Sequence, residues 1–189
     1  MKNFLLILLI LICSLACDIK QENLPIEINN QIVPIPKKIQ IHSKGEFVIL
    51  NQNISVFCNQ PQLYSLVNVF KNDLQNLSGI DFNFSNVNKE TTDLIFEIDS
   101  NLQSEEYNIN IVDKIVLKGG SYSALAMAKS SLMQILKISN NLIYFPIVEI
   151  NDKPDSEYRG LLIDLARMWH DVPTLKQVID LAAFYKINY

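Results

Sequence analysis

Three charged side chains frame one apolar run: Arg159, Asp164 and Arg167 in Tyr158-Arg-Gly-Leu-Leu-Ile-Asp-Leu-Ala-Arg167. A carboxylate and a guanidinium at this spacing can grip a hydroxylated ligand through charge-assisted, two-pronged hydrogen bonds. They can equally form an ion-pair network that only stabilises the fold. Gly160 to Leu165 is apolar except for Asp164, which predicts a strand buried on both faces, as in a parallel barrel. In barrels of repeated strand–helix units, ligand-facing groups lie at the C-terminal strand ends and in the loops that follow. Asp164 and Arg167 fall there by counting, and Arg159 falls at the opposite end. Other chemistry-bearing residues are sparse. Cys58, in Val-Phe-Cys, reads as a small core residue rather than a nucleophile. His42 and His170 belong to no His/Cys cluster with ligand spacing, so no metal is expected. Gly119-Gly120 lacks both the dinucleotide fingerprint and the Lys-Ser/Thr ending of a phosphate loop, and reads as a sharp strand-to-helix turn.

The elements that must position these residues are legible from periodicity. A helix is predicted from about Pro173 to Lys186, burying Leu175, Val178, Ile179, Ala182 and either Phe184 or Tyr185. With the run before it, this makes one strand–helix unit, which cannot bury its own strand without neighbours. Upstream, strands are predicted at 39–42, 46–50, 54–58, 93–99, 107–112, 114–119 and 142–150. Helices are predicted from Gln60 to Leu77, with Pro61 in the first turn and Gly79 past the end, and from Ser121 to Ile138. The polar stretch Asn151 to Glu157 suits a domain boundary. The expected organisation is an α/β (α+β) domain at 33–152, with a mixed or antiparallel sheet and two long helices, then the opening of a (β/α)8 barrel at 157–189.

The 189 residues carry a net charge of -4 with no basic block, which argues against a nucleic-acid partner. Residues 1–17 combine Lys2, an apolar run from Phe4 to Ile12 and Ser-Leu-Ala before Cys17, too short to span a bilayer and shaped as a secretory signal. The Cys at the cleavage point resembles a bacterial lipoprotein box. Cys17 is therefore expected to carry lipid, followed by a polar tether at 18–32, with the protein anchored in the bacterial envelope, periplasmic or at the cell surface. Cys13 leaves with the signal and Cys17 is capped, so Cys58 has no disulfide partner. Asn-x-Ser triplets at Asn53, Asn76 and Asn83 read as chance matches in Asn-rich turns.

The segment Tyr158 to Arg167, followed by Thr174-Leu175-Lys176, Ile179-Asp180 and Tyr185-Lys186-Ile187-Asn188, closely resembles glycoside hydrolase family 20, the β-N-acetylhexosaminidases. Pro34-Ile-Pro-Lys-Lys38, Glu105-Glu106-Tyr107 and Leu132-Met-Gln-Ile-Leu136 resemble that family's N-terminal domain. Departures are Pro154-Asp155-Ser156 where an Arg is usual, Met168 in place of His, and the absence of Gly-Leu-Gln-Thr after Gly120. The resemblance implies exo-removal of terminal β-linked N-acetylglucosamine or N-acetylgalactosamine, with an N-acetylhexosamine-containing glycan as partner. It implies substrate-assisted, retaining hydrolysis without a cofactor. It places the general-acid Glu and the orienting Asp beyond residue 189, so the chain is expected to be a fragment, inactive alone and without a catalytic residue of its own. It assigns Arg159 to substrate binding and leaves Asp164 and Arg167 as structural residues or supports behind the pocket. An alternative is a non-catalytic surface lipoprotein that binds glycans or a partner.

Overall fold

A computed structural model describes residues 31–189. The expected signal, the lipid site at Cys17 and most of the tether lie outside the described residues. Ten strands form: β1 (Lys38–Ile41), β2 (Phe47–Leu50), β3 (Asn53–Cys58), β4 (Asn83–Asn86), β5 (Leu94–Ile98), β6 (Tyr107–Ile111), β7 (Ile115–Gly119), β8 (Lys137–Ser139), β9 (Leu142–Pro146) and β10 (Val148–Asp152). The helices are α1 (Leu63–Ser78), α2 (Tyr122–Ile135) and α3 (Val172–Phe184). Seven strands make a mixed sheet in the order β1-β10-β6-β7-β5-β3-β4, and a small antiparallel sheet runs β2-β9-β8. The mixed α+β domain expected from the sequence is present, and the helix Val172–Phe184 follows it.

Period-two alternation builds the core face of the large sheet. Val148, Ile111, Ile115 and Leu94 form one register row, and Ile150, Ile109, Leu117 and Phe96 form the next. Leu63, Leu66, Val67, Phe70 and Leu74 of α1, and nearly the whole of α2, cover this face. The row beyond is different: Asp152, Tyr107 and Gly119 sit side by side where the alternation calls for apolar residues. Two glycines close that end for a steric reason. A Cβ on Gly120 would lie 1.9 Å from the Gln103 carbonyl oxygen, so the turn into α2 is pressed against the 102–106 loop. The Ser121 hydroxyl then accepts from the Ala124 amide and caps α2.

Several boundaries differ from expectation. Pro61 precedes the first turn of α1 rather than occupying it, while Gly79 ends the helix as expected, at φ 69° with its amide on the Gln75 carbonyl. α2 stops at Ile135 instead of Ile138, because Asn140 and Asn141 both take positive φ and turn residues 137–142 into a two-residue hairpin. The 142–150 run divides into β9 and β10, which join different sheets. β4, Asn-Phe-Ser-Asn, was invisible to pattern reading because an edge strand this polar shows no alternation.

The largest difference is at Gly160–Leu165. The run expected to be a doubly buried strand pairs along no sheet, and Leu162 is 93 % exposed. Only its start shows strand bonding: Tyr189 donates to the Arg159 carbonyl at 3.2 Å and accepts from the Leu161 amide at 2.8 Å. Two bonds from one residue to the neighbours of Gly160 are the pattern of a parallel pair. A parallel strand needs neighbours on both sides, and among the described residues only this corner of one lies beside it. In α3, Leu175, Val178, Ala182 and Phe184 are half-buried, whereas Ile179 and Tyr185 are exposed.

Phe70 is fully buried, with ring contacts to Phe84 and Phe96. Phe70→Ala is expected to lower the stability of the α/β domain by about 3–5 kcal/mol in urea unfolding, with the denaturant slope unchanged.

Candidate functional site

The seam between the α/β domain and residues 157–189 gathers most of the buried charge. Arg159 is central to it. Its two terminal nitrogens meet the Glu105 carboxylate side-on, at 2.8 and 3.1 Å, a paired geometry that suits a planar guanidinium. The same group donates to the Ser156 carbonyl, to the Met127 sulfur and, from Nε, to the Lys186 carbonyl at 2.8 Å. All five N–H groups are thereby engaged, and the side chain is 13 % exposed. Glu105 stands on the loop between β5 and β6. The hydrogen bond from Arg159 holds its carboxyl below the ordinary value of 4.5, against a smaller opposing effect of burial.

Lys186 ends α3 in a left-handed turn at φ 61°. Its side chain is 3 % exposed, and the ammonium reaches the polar row of the sheet, donating to the Tyr107 hydroxyl at 2.8 Å and lying 3.3 Å from Asp152 Oδ2. Tyr107 donates to Asp152 at 2.6 Å and shares a 2.7 Å bond with Ser131. The other Asp152 oxygen accepts from the Lys37 amide. Burial, then the Asp152 charge, pushes the Tyr107 hydroxyl far above its usual range. Burial also lowers Lys186 below its ordinary 10.5, with Asp152 partly opposing that shift.

Asp164 and Arg167 lie at the other end of the apolar run. Asp164 accepts from the amides of Ala166 and Arg167 and from Arg167 Nε, at 2.7 Å in the last case. Those bonds, with the Arg167 side chain foremost, depress its pKa. Arg167 is 89 % exposed, and Nε is the atom it commits to Asp164. The structure therefore separates the three residues: Arg159 is spent on the seam, and Asp164 with Arg167 forms an open pair beyond it. Cys58 is buried, which raises its thiol to about 11, as expected of a core residue.

Sequence reasoning missed Asp152, Lys186 and the pairing role of Glu105. A signal existed for the first: Asp152 and Tyr107 occupy core-face positions of strands whose other such positions are aliphatic. The partner could not be named, because Lys186 sits in a helix end remote in sequence. An open cleft of about 780 Å³ runs along the seam, lined by Lys37, Glu105, Lys153, Asp155, Glu157 and Tyr189 among others.

A mixed sheet backed by two helices, joined through a polar seam to a strand–helix crossover, is the architecture of a helper domain with the opening of a catalytic barrel. Residues 29–153 match glycosyl hydrolase family 20, domain 2, and residues 156–189 match the catalytic domain of the same family, so the chain belongs to glycosyl hydrolase family 20. It is similar to a beta-hexosaminidase of Vibrio furnissii, 27 % identical over 52 % of this chain and 16 % of the relative. It is also similar to a beta-N-acetylhexosaminidase of Cellulomonas fimi, 25 % identical over 83 % of this chain and 33 % of the relative. The crystal structure of a family 20 exo beta-N-acetylglucosaminidase from Vibrio harveyi in complex with N-acetylglucosamine superposes with a TM-score of 0.77 at 23 % identity, over 88 % of this chain and 26 % of that one. The chain thus spans a third or less of the length of these relatives, and the low identity of the last comparison bears on the fold.

Because the folded-state pKa of Glu105 is depressed, its pairing with Arg159 contributes stability above pH 4.5, lost as the pH falls through the lower folded-state value. Acid titration followed by Trp169 fluorescence is expected to show loosening of the 157–189 segment in that window. Glu105→Gln is expected to remove the pH dependence and leave the segment loosened throughout.

Proposed function

We propose that this chain supplies the helper domain and the first barrel unit of an exo-β-N-acetylhexosaminidase, acting on terminal β-linked N-acetylglucosamine or N-acetylgalactosamine. The observation that carries the reading is the continuity of two matches: the α/β domain at 29–153 and the segment at 156–189 that docks on it both fall in one glycosidase family. The names of the relatives support it, since each is a hexosaminidase. In the reaction proposed, the acetamido oxygen of the substrate attacks the anomeric carbon as the glycosidic C–O bond breaks. An Asp orients the acetamido group, a Glu protonates the departing oxygen, and water then opens the cyclic intermediate with retention. We propose that both carboxylates come from later barrel strands, after residue 189.

Within residues 157–189, Arg159 could take up sugar hydroxyls only by giving up Glu105, Ser156 or the Lys186 carbonyl. Arg167 is exposed at the C-terminal end of the run, where barrels bind their ligands. We propose sugar contact at Arg159, as the resemblance implies, with its pairing to Glu105 giving way to the substrate, and leave Asp164 and Arg167 as structural or supporting residues. We further propose lipid attachment at Cys17, with the folded body held at the envelope surface.

Sequencing beyond codon 189 and assaying the continuous product tests the reading. An aryl N-acetyl-β-glucosaminide should release nitrophenol, and Arg159→Lys should lower kcat/KM by about tenfold or more through loss of a bidentate contact. A continuous product without hydrolysis would refute the glycosidase reading, and an unchanged Arg159→Lys variant would refute the assignment. The 189-residue chain alone is expected to release none. Palmitate labelling of cells should be abolished by Cys17→Ala.

A further inference from the structure

We infer that Lys186 is a positioning residue: it reads the polar row of the α/β core and thereby sets where the first parallel strands of the barrel begin. Three of its groups act at once. The ammonium enters the Asp152–Tyr107 row. The carbonyl accepts from Arg159 Nε at 2.8 Å. The left-handed turn sends the chain directly into Ile187-Asn188-Tyr189, whose amides bond to the Ala182 and Arg159 carbonyls. Asn188 adds two side-chain bonds, accepting from the Arg159 amide and donating to the Glu157 carbonyl.

The helix that carries Lys186 is held in the same register from the side. Ser130 and Gln134, four residues apart on one face of α2, donate to the successive carbonyls of Ala183 and Phe184. These carbonyls lie at the end of α3, where helical partners run out; that of Ala183 also accepts from the Lys186 amide at 3.1 Å. Gln134 also bonds in both directions with Val33, tying in the chain that enters the domain. If α3 slid by one residue along α2, Asp152 would lose its ammonium and α3 its caps. An aliphatic side chain at 186 would fill the same space yet leave Asp152 an unpaired buried charge. A buried ion pair of this kind is weak as a source of stability but exacting about register. Arg159, set by the carbonyl of Lys186 on one side and Glu105 on the other, transmits the choice to the start of the Gly160–Leu165 run. This inference does not depend on the glycosidase reading.

Amide hydrogen exchange on the 189-residue chain tests it. Lys186→Met should speed exchange at Leu161, Ile187 and Asn188 by about tenfold or more, the loss of one hydrogen-bonded charge, and should also lower global stability. The double variant Lys186→Met/Asp152→Asn leaves no unpaired buried charge. It should recover global stability, read at Ile109 and Leu117, while the three seam amides stay fast. Lys186→Arg, which keeps a charged donor, should return the seam amides toward their original rate. Recovery of the seam amides in the double variant would overturn the inference, because Lys186 would then only neutralise a charge. Unchanged seam exchange in Lys186→Met would overturn it as well.

Discussion

The structure turns on a carboxylate placed where a hydrocarbon belongs. Asp152 occupies the core face of β10, beside Tyr107 and beyond two aliphatic rows, and is 9 % exposed. Moving a carboxylate out of water is costly unless a cation and hydrogen bonds replace its hydration. The α/β domain provides hydrogen-bond donors, from Tyr107 and the Lys37 amide, but the cation comes from the other unit of the chain. The domain is thus incomplete at one edge by its own design of charges, and residues 157–189 complete it. Arg159 and Glu105 repeat the arrangement at the rim with the same signs: the helper domain again supplies the carboxylate and the barrel unit the cation.

This division of labour explains why the seam is polar while the core is not. An apolar seam would let α3 settle in any of several registers, since the apolar half of an amphipathic helix is nearly uniform along its length. Charged pairs and capped carbonyls discriminate among positions. For a barrel whose ligand groups come from strand ends, the start of the first strand matters, and the seam fixes that start rather than the ligand groups themselves.

Much of this was legible in the sequence. The helical stripe Leu63-Leu66-Val67-Phe70-Leu74 and the alternating strands predicted the α+β domain, and the Tyr158–Asn188 segment pointed to its family. The polar boundary after Asn151 fell where the sheet ends. What failed did so for physical reasons. The Gly160–Leu165 run carries the composition of a buried strand, but burial is a property of neighbours, and composition cannot supply them. The end of α2 was misjudged because paired Asn residues that tolerate positive φ outweighed the continuing apolar pattern. Lys186 was read as the last residue of a helix, since nothing local marks a lysine that points inward.

The central claim is that the Lys186 ammonium is buried and hydrogen-bonded within the α/β core. Nitrogen-15 NMR of the lysine side chains tests it most directly. The account predicts one ammonium signal, lost in Lys186→Met, with slowly exchanging protons and titration below the ordinary 10.5, in keeping with burial. A Lys186 signal that exchanges rapidly and titrates with the surface lysines would contradict it.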